Sequence, residues 1–144
     1  MDFGKPQVRQ IVRTTPTWLP GSPDVMEEVS NSPWASVFRA DHETGRVYIK
    51  EPAPAFSIEG RLTRFLGDEL GCPVIGVLAV DTASGTFVSR DAGEPLRLAY
   101  GRLKDPRLPI AAITGYADTQ VAAIAHADVL LAMGTHHEVP PRSE

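Results

Sequence analysis

The sequence predicts an α+β fold: a five-stranded antiparallel sheet with one packed helix, followed by a linker and a long C-terminal helix. Three observations predict it. Two pairs of short, β-prone runs, residues 34–40 with 46–51 and 74–80 with 86–90, are each joined by a turn that contains glycine. Between the pairs lies one amphipathic run that ends at Gly71, and after them residues 110–133 carry a long apolar stripe at helical spacing.

Residues 7–15 come first and place Val8, Ile11 and Val12 at helical spacing until Pro16 and Pro20-Gly21 break the pattern, which predicts a short helix. Val25, Glu27 and Val29 then alternate with Met26 and Glu28, a strand signal that stops at the turn-prone Ser30-Asn31-Ser32-Pro33. The run 34–40 and its partner 46–51 pair antiparallel across Asp41-His42-Glu43-Thr44-Gly45. Pro52 and Pro54 end that hairpin. Ser57 reads as the N-cap of a helix whose apolar positions Ile58, Leu62, Phe65, Leu66 and Leu70 fall on one face. The nearly continuous apolar run 74–80, the Ser84-Gly85 turn and residues 86–90 form the second hairpin. Residues 91–95 are irregular, and 94–109, with three prolines, read as a connector holding at most one helical turn. The final helix, residues 110–133, has Ile110, Ile113, Ala117, Val121, Ile124 and Leu131 as its stripe and Gly134 as its stop. A polar, proline-containing tail follows and reads as disordered.

The bulk properties narrow the function classes. At 144 residues, 42% hydrophobic and 22% charged, the chain is one ordinary globular domain. A formal net charge of -4 with scattered basic residues gives no phosphate-binding stripe, so no nucleic-acid partner is expected. The single cysteine, Cys72, rules out an intrachain disulfide and a C-x-x-C metal or redox pair; before an apolar strand it reads as an inert core residue. With no secretory signal pattern and no run long enough to span a bilayer, the expected location is cytoplasmic and no membrane partner is expected.

One constellation carries chemistry. If residues 46–51 are a strand, Val47 and Ile49 share one face and Tyr48 and Lys50 the other. A lysine on an inner sheet face needs an anion, and Glu59, in the first turn of the following helix, supplies one. The pair would hold an ammonium where phosphate oxygens arrive. Taken alone, the same two residues also fit an exposed lysine on an edge strand and a solvated glutamate favoured by the helix macrodipole.

The ordered run RVYIKEPAPAFSIEGRLTRFLGDELGCPVIGVLAVDTASGTFVSRDAGEPLR resembles the small lobe of the aminoglycoside phosphotransferase family, which has a kinase-like fold. Its succession matches: a strand ending in lysine, a glutamate-led helix, an apolar strand, a hairpin, and an acidic residue before Gly-x-Pro-Leu. Residues 116–120 and 126–134 likewise resemble the helix that opens the large lobe, so the resemblance covers about 25–134. It implies an N-terminal extension at 1–23, a kinase-like N-lobe at 24–93, a hinge linker and first helix of a truncated C-lobe at 94–134, and the tail at 135–144. It also implies a cofactor, ATP with Mg2+, bound weakly. Lys50 would contact the α- and β-phosphates and Glu59 would brace it. Tyr48 would line the purine pocket, although a plain packed aromatic fits it equally, and the backbone of Asp91, Ala92 and Gly93 would meet the adenine edge. The turn at Ser30 to Pro33 stands where the phosphate-covering loop belongs but has no Gly-x-Gly. Ile75 stands where many relatives have proline, a difference expected to affect packing only.

The acceptor side of such an enzyme needs an H-x-D with an asparagine five residues beyond the aspartate, and a later aspartate on the metal. His126-Ala127-Asp128 is the nearest approach, but Met133 occupies the asparagine position and the triplet falls within the apolar-striped helix. His136-His137-Glu138 lacks a third ligand at suitable spacing. No catalytic and no metal-binding residue is therefore assigned. The expectation is the nucleotide-binding part of an ATP-dependent small-molecule phosphotransferase, not competent for transfer as this chain, with nucleotide and either a missing C-lobe or a protein as partners. The alternative is a non-catalytic remnant lobe acting as an interaction module.

Overall fold

A computed structural model describes residues 10–11, 26–43 and 45–135. The strands are β1 (Gln10–Ile11), β2 (Met26–Asn31), β3 (Ala35–His42), β4 (Gly45–Pro52), β5 (Val77–Val80) and β6 (Phe87–Arg90). They form one sheet in the order β1-β2-β3-β4-β6-β5, and each pairing is antiparallel. The helices are α1 (Glu59–Asp68), α2 (Leu96–Leu103), α3 (Arg107–Ile124) and α4 (Ala127–Ala132). The fold is thus α+β, with the five principal strands at the expected places. Among the described residues, no helix is long and apolar enough to cross a membrane.

Alternation along the strands separates two faces. Phe38 lies opposite Ile49, Ala40 opposite Val47 and Ile49 opposite Val88, and with Met26 these form the buried core. Each large side chain buried there contributes about 1.5–3 kcal/mol. The other face carries Val37, Tyr48, Lys50, Phe87 and Ser89, brought level by the pairings Val37 with Lys50, Lys50 with Phe87 and Tyr48 with Ser89. Helix α1 crosses this second face. Its Gly60 sits so close to Phe87 that a Cβ there would lie 2.7 Å from the Phe87 Cβ.

Several elements depart from expectation. Gln10 and Ile11, expected in a helix, pair with Glu27 and Met26 as an edge strand; the rest of 7–15 and the tail 136–144 lie outside the described residues. In β2 the register shifts between Glu28 and Ser30, so Met26 is the core residue and Val29 is exposed. Ser57 does not cap α1: a 3-10 turn at Pro54–Phe56 leads into it, Ser57 already has helical φ and ψ, and Ile58 takes the cap position. Its own N–H donates to Pro54 O, and a chain already helical there leaves the serine out of capping geometry. Gly71 closes the helix in left-handed geometry, as expected. β5 begins at Val77, three residues later than predicted, and Cys72 is half-buried where a core residue was expected.

The C-terminal half differs most. The connector contains the eight-residue α2, because Pro95, Pro106 and Pro109 sit at or just inside helix starts, where a missing N–H costs little. The single helix expected at 110–133 starts at Arg107 and is interrupted at Ala125 and His126, where His126 leaves helical geometry before α4. The stripe expected to be buried faces solvent: Ile110, Ile113, Val121, Ile124 and Leu131 are all exposed. On the other side of α3, Ala111, Ala112, Gly115, Tyr116 and Thr119 line an open cavity of about 440 Å³ with Leu66, Pro73 and Val74.

Candidate functional site

The second face of the sheet, the first turn of α1 and the segment after β6 line an open cavity of about 380 Å³. Its lining includes Tyr48 and Lys50 from β4, Glu59 from α1 and the consecutive residues Asp91, Ala92 and Gly93. These are the six residues singled out from sequence, and one cavity holds them all. Val37, Ile75, Phe87 and Pro95 make much of the remaining wall apolar. Such a mixture, mainly apolar with a few convergent polar groups, is the usual character of a small-molecule site.

Strand alternation aims Lys50 at the cavity, and its Nζ donates a hydrogen bond to Glu59 Oε1 at 2.5 Å. Glu59 stands in the first turn of α1, where the helix macrodipole favours a negative charge. Both side chains keep about a third of their surface accessible, so the pair contributes at most about 1 kcal/mol to stability. Its effect is positional: a flexible four-carbon stem is held with its ammonium at the cavity wall. Among the described residues, Lys50 is the only cation in that lining. Arg39, opposite Tyr48 in the ladder, is held by Glu27, which accepts from both its Nε and its terminal nitrogen. That hydrogen bond keeps the Arg39 guanidinium above its ordinary pKa.

At the far wall, the chain after β6 turns sharply. The Asp91 carboxylate accepts the Gly93 N–H at 2.8 Å, and Gly93 has φ +82°. That bond uses one of the backbone donors expected to meet a ligand edge and leaves the segment's other main-chain groups to serve. Asp91 thereby acts on the shape of the turn.

Two lining residues were not foreseen. Ser89 is the buried polar residue of the sheet, 5% exposed, and faces the cavity opposite Tyr48. It shares the parity of Phe87 within the strand, and that was the signal available. Ile75, expected to matter for packing alone, also lines the cavity.

The turn between β2 and β3 directs its donors inward. Ser32 Oγ accepts from the N–H groups of Trp34 and Ala35, and Ser32 N–H donates to Ala35 O. Pro33 has no N–H. This loop's amides are thus engaged within the loop and unsuited to cradling phosphate, while Trp34 stands exposed, edge-on to Phe56 at 6.1 Å.

His126 and Asp128 lie away from the cavity. The His126 ring packs edge-on against Phe65 of α1 at 5.8 Å, and Asp128 is exposed in the first turn of α4. Among the described residues, no three His, Cys, Asp or Glu side chains gather as metal ligands would. Compared with family models, curated proteins and solved structures, the chain finds no match.

Proposed function

We propose that this chain is the nucleotide-gripping part of an ATP-dependent small-molecule phosphotransferase with a kinase-like small lobe, similar to that of the aminoglycoside phosphotransferases. The observation that carries the reading is the Lys50 ammonium fixed by Glu59 at 2.5 Å, on the wall of a cavity that also holds Tyr48 and the Asp91 to Gly93 turn. A braced lysine opposite a backbone edge, with apolar side chains between them, suits a ligand that has a polyphosphate at one end and a flat heterocycle at the other.

Each residue then has a part. Lys50 binds α- and β-phosphate oxygens as a point charge, and Glu59 keeps its stem from collapsing. Tyr48, Val37 and Ile75 take the base, and main-chain groups of the 91–93 turn meet its edge. ATP supplies the transferable phosphoryl group. The two carboxylates of the cavity, Glu59 and Asp91, are engaged by Lys50 and Gly93, so no metal-holding role is assigned to this chain and no transfer step is routed through its residues. The work left to these residues is binding and orientation.

The test is calorimetric titration of the full chain with magnesium-ATP, in parallel with Lys50→Ala and Glu59→Gln. A weak saturable isotherm is expected, at least about tenfold weaker in Lys50→Ala, because an ammonium-phosphate hydrogen bond is charge-assisted. Glu59→Gln should fall between. No heat and no protection from ATP in the wild-type protein would overturn the proposal and favour a non-catalytic interaction module, a reading to which the exposed apolar side of α3 lends weight.

A further inference from the structure

Helix α3 carries a run of branched apolar residues on its outward side. At about 100° per residue, Ile110, Ile113, Ala117, Val121 and Ile124 fall within an arc of about 80°. The four branched residues of this seam are 61% to 73% exposed. On the opposite side Gly115 and Thr119 are half-buried, and with Ala111, Ala112 and Tyr116 they line an open cavity beside Pro73.

We infer that this seam is the contact face for a second copy of the same chain, in a two-fold symmetric dimer with the α3 helices crossed antiparallel at Ala117. Three features select that occupant. The seam spacings run 3, 4, 4, 3 about Ala117, so turning it end for end superimposes it on itself, as a two-fold contact requires. Ile113 then meets Val121 of the other copy and Ile110 meets Ile124, while alanine at the axis permits close approach. The ridge Ile113-Ala117-Val121 follows the i±4 row that interdigitates at an inclination of about 50°.

The second feature is charge. From Leu108 to Ala127 the only Asp, Glu, Lys or Arg is Asp118, on the flank of the seam. A strongly charged partner finds no complement along the seam, and an anionic lipid surface finds one flanking cation on α3, Arg107, already paired with Asp105. Two identical seams meet through uncharged side chains, with the two copies of Asp118 at the flanks as the charges nearest the axis.

The third is area. Four side chains about two-thirds exposed, with Ala117, offer roughly 300 Å² of apolar surface per copy, taking about 100 Å² for each fully buried aliphatic side chain. A pair would bury roughly 600 Å², the apolar share expected of an interface near the threshold of about 1,000 Å² for a specific contact. The dimer is thus predicted to be real but not tight. This inference is independent of the nucleotide reading.

The test uses the full chain by sedimentation equilibrium up to about 100 μM, the range in which a small interface still associates. The mass of two chains is expected, with dissociation strengthened at least about tenfold by Ile113→Lys, which buries unpaired ammonium groups across the contact. In a Cys72→Ser background, Ala117→Cys should cross-link to itself under mild oxidation, and Ile110→Cys should not. The two copies of residue 110 would stand about 20 Å apart along the pair, beyond the reach of a disulfide. Circular dichroism checks that each variant is folded; the cross-linking pair reads position even if Ile113→Lys fails to fold. A monomer across the concentration range, a dimer indifferent to Ile113→Lys, or cross-linking at 110 instead of 117 would each overturn the inference.

Discussion

Replacing Gly60 with alanine tests how α1 is seated on the sheet and, through that, how Glu59 reaches Lys50. The added Cβ would lie 2.7, 2.8 and 2.9 Å from Cβ, Cγ and Cδ1 of Phe87. Carbon atoms rest at about 3.5–4.0 Å, so the helix must lift by about 1 Å or the Phe87 ring must turn. Phe87 is 4% exposed, and the room its ring has lies toward the cavity it lines. Overpacking of this kind costs about 1–3 kcal/mol, and alanine's better helix propensity returns up to about 1 kcal/mol. The net loss is about 1–2 kcal/mol, a fall in Tm of about 3–8 °C for a chain of this size. A 1 Å lift would also stretch the Lys50–Glu59 contact from 2.5 Å beyond hydrogen-bond range. Calorimetric melts of Gly60→Ala, Phe87→Leu and the double variant measure the coupling, expected to exceed about 0.5 kcal/mol in the sense that the smaller residue at 87 relieves the alanine. A rise in Tm for Gly60→Ala alone, with additive single effects, would refute the reasoning and place α1 further from the sheet.

Gly85→Ala should be worse: φ there is +76°, and a Cβ would stand 2.6 Å from the Ser57 backbone, which cannot swing aside as a side chain can. A loss of about 2–4 kcal/mol is expected, read as a lower urea midpoint at an unchanged slope. At the same hairpin, the Ser84 hydroxyl and then the Ala83 N–H hold the Asp81 carboxylate below its ordinary pKa. With its folded value depressed, Asp81 contributes stability that is fully present above the unfolded value of about 3.9 and is lost as pH falls through the folded one. Ser84→Ala should raise the Asp81 pKa toward that ordinary value, followed by NMR titration of its carboxyl carbon; an unmoved titration would mean that the hydroxyl does not donate to it.

Residues 45–52 show why part of the site was legible before any coordinates. Alternation along one strand sends Tyr48 and Lys50 to one face and Val47 and Ile49 to the other, a consequence of backbone geometry that needs no knowledge of neighbours. Glu59 follows because only six residues lie between it and Pro52 at the end of β4, and Pro54 limits the path between them. Ser89 escaped notice because serine is unremarkable in a strand until its burial is known. The prolines at 95, 106 and 109 misled in the opposite direction, since a proline that ends one helix and a proline that begins another look alike in a string of letters.

What the sequence determined by itself was local and periodic: where the strands of the two hairpins lie, where α1 stops at Gly71, and which residues of β4 share a face. What only the tertiary structure decided was which periodic faces would be covered. The stripe on α3 has the spacing of a buried face, yet it lies open. Periodicity states that a helix has an apolar side; the tertiary structure decides what covers it, and here Leu66, Pro73 and Val74 face the other side of α3 across an open cavity of about 440 Å³.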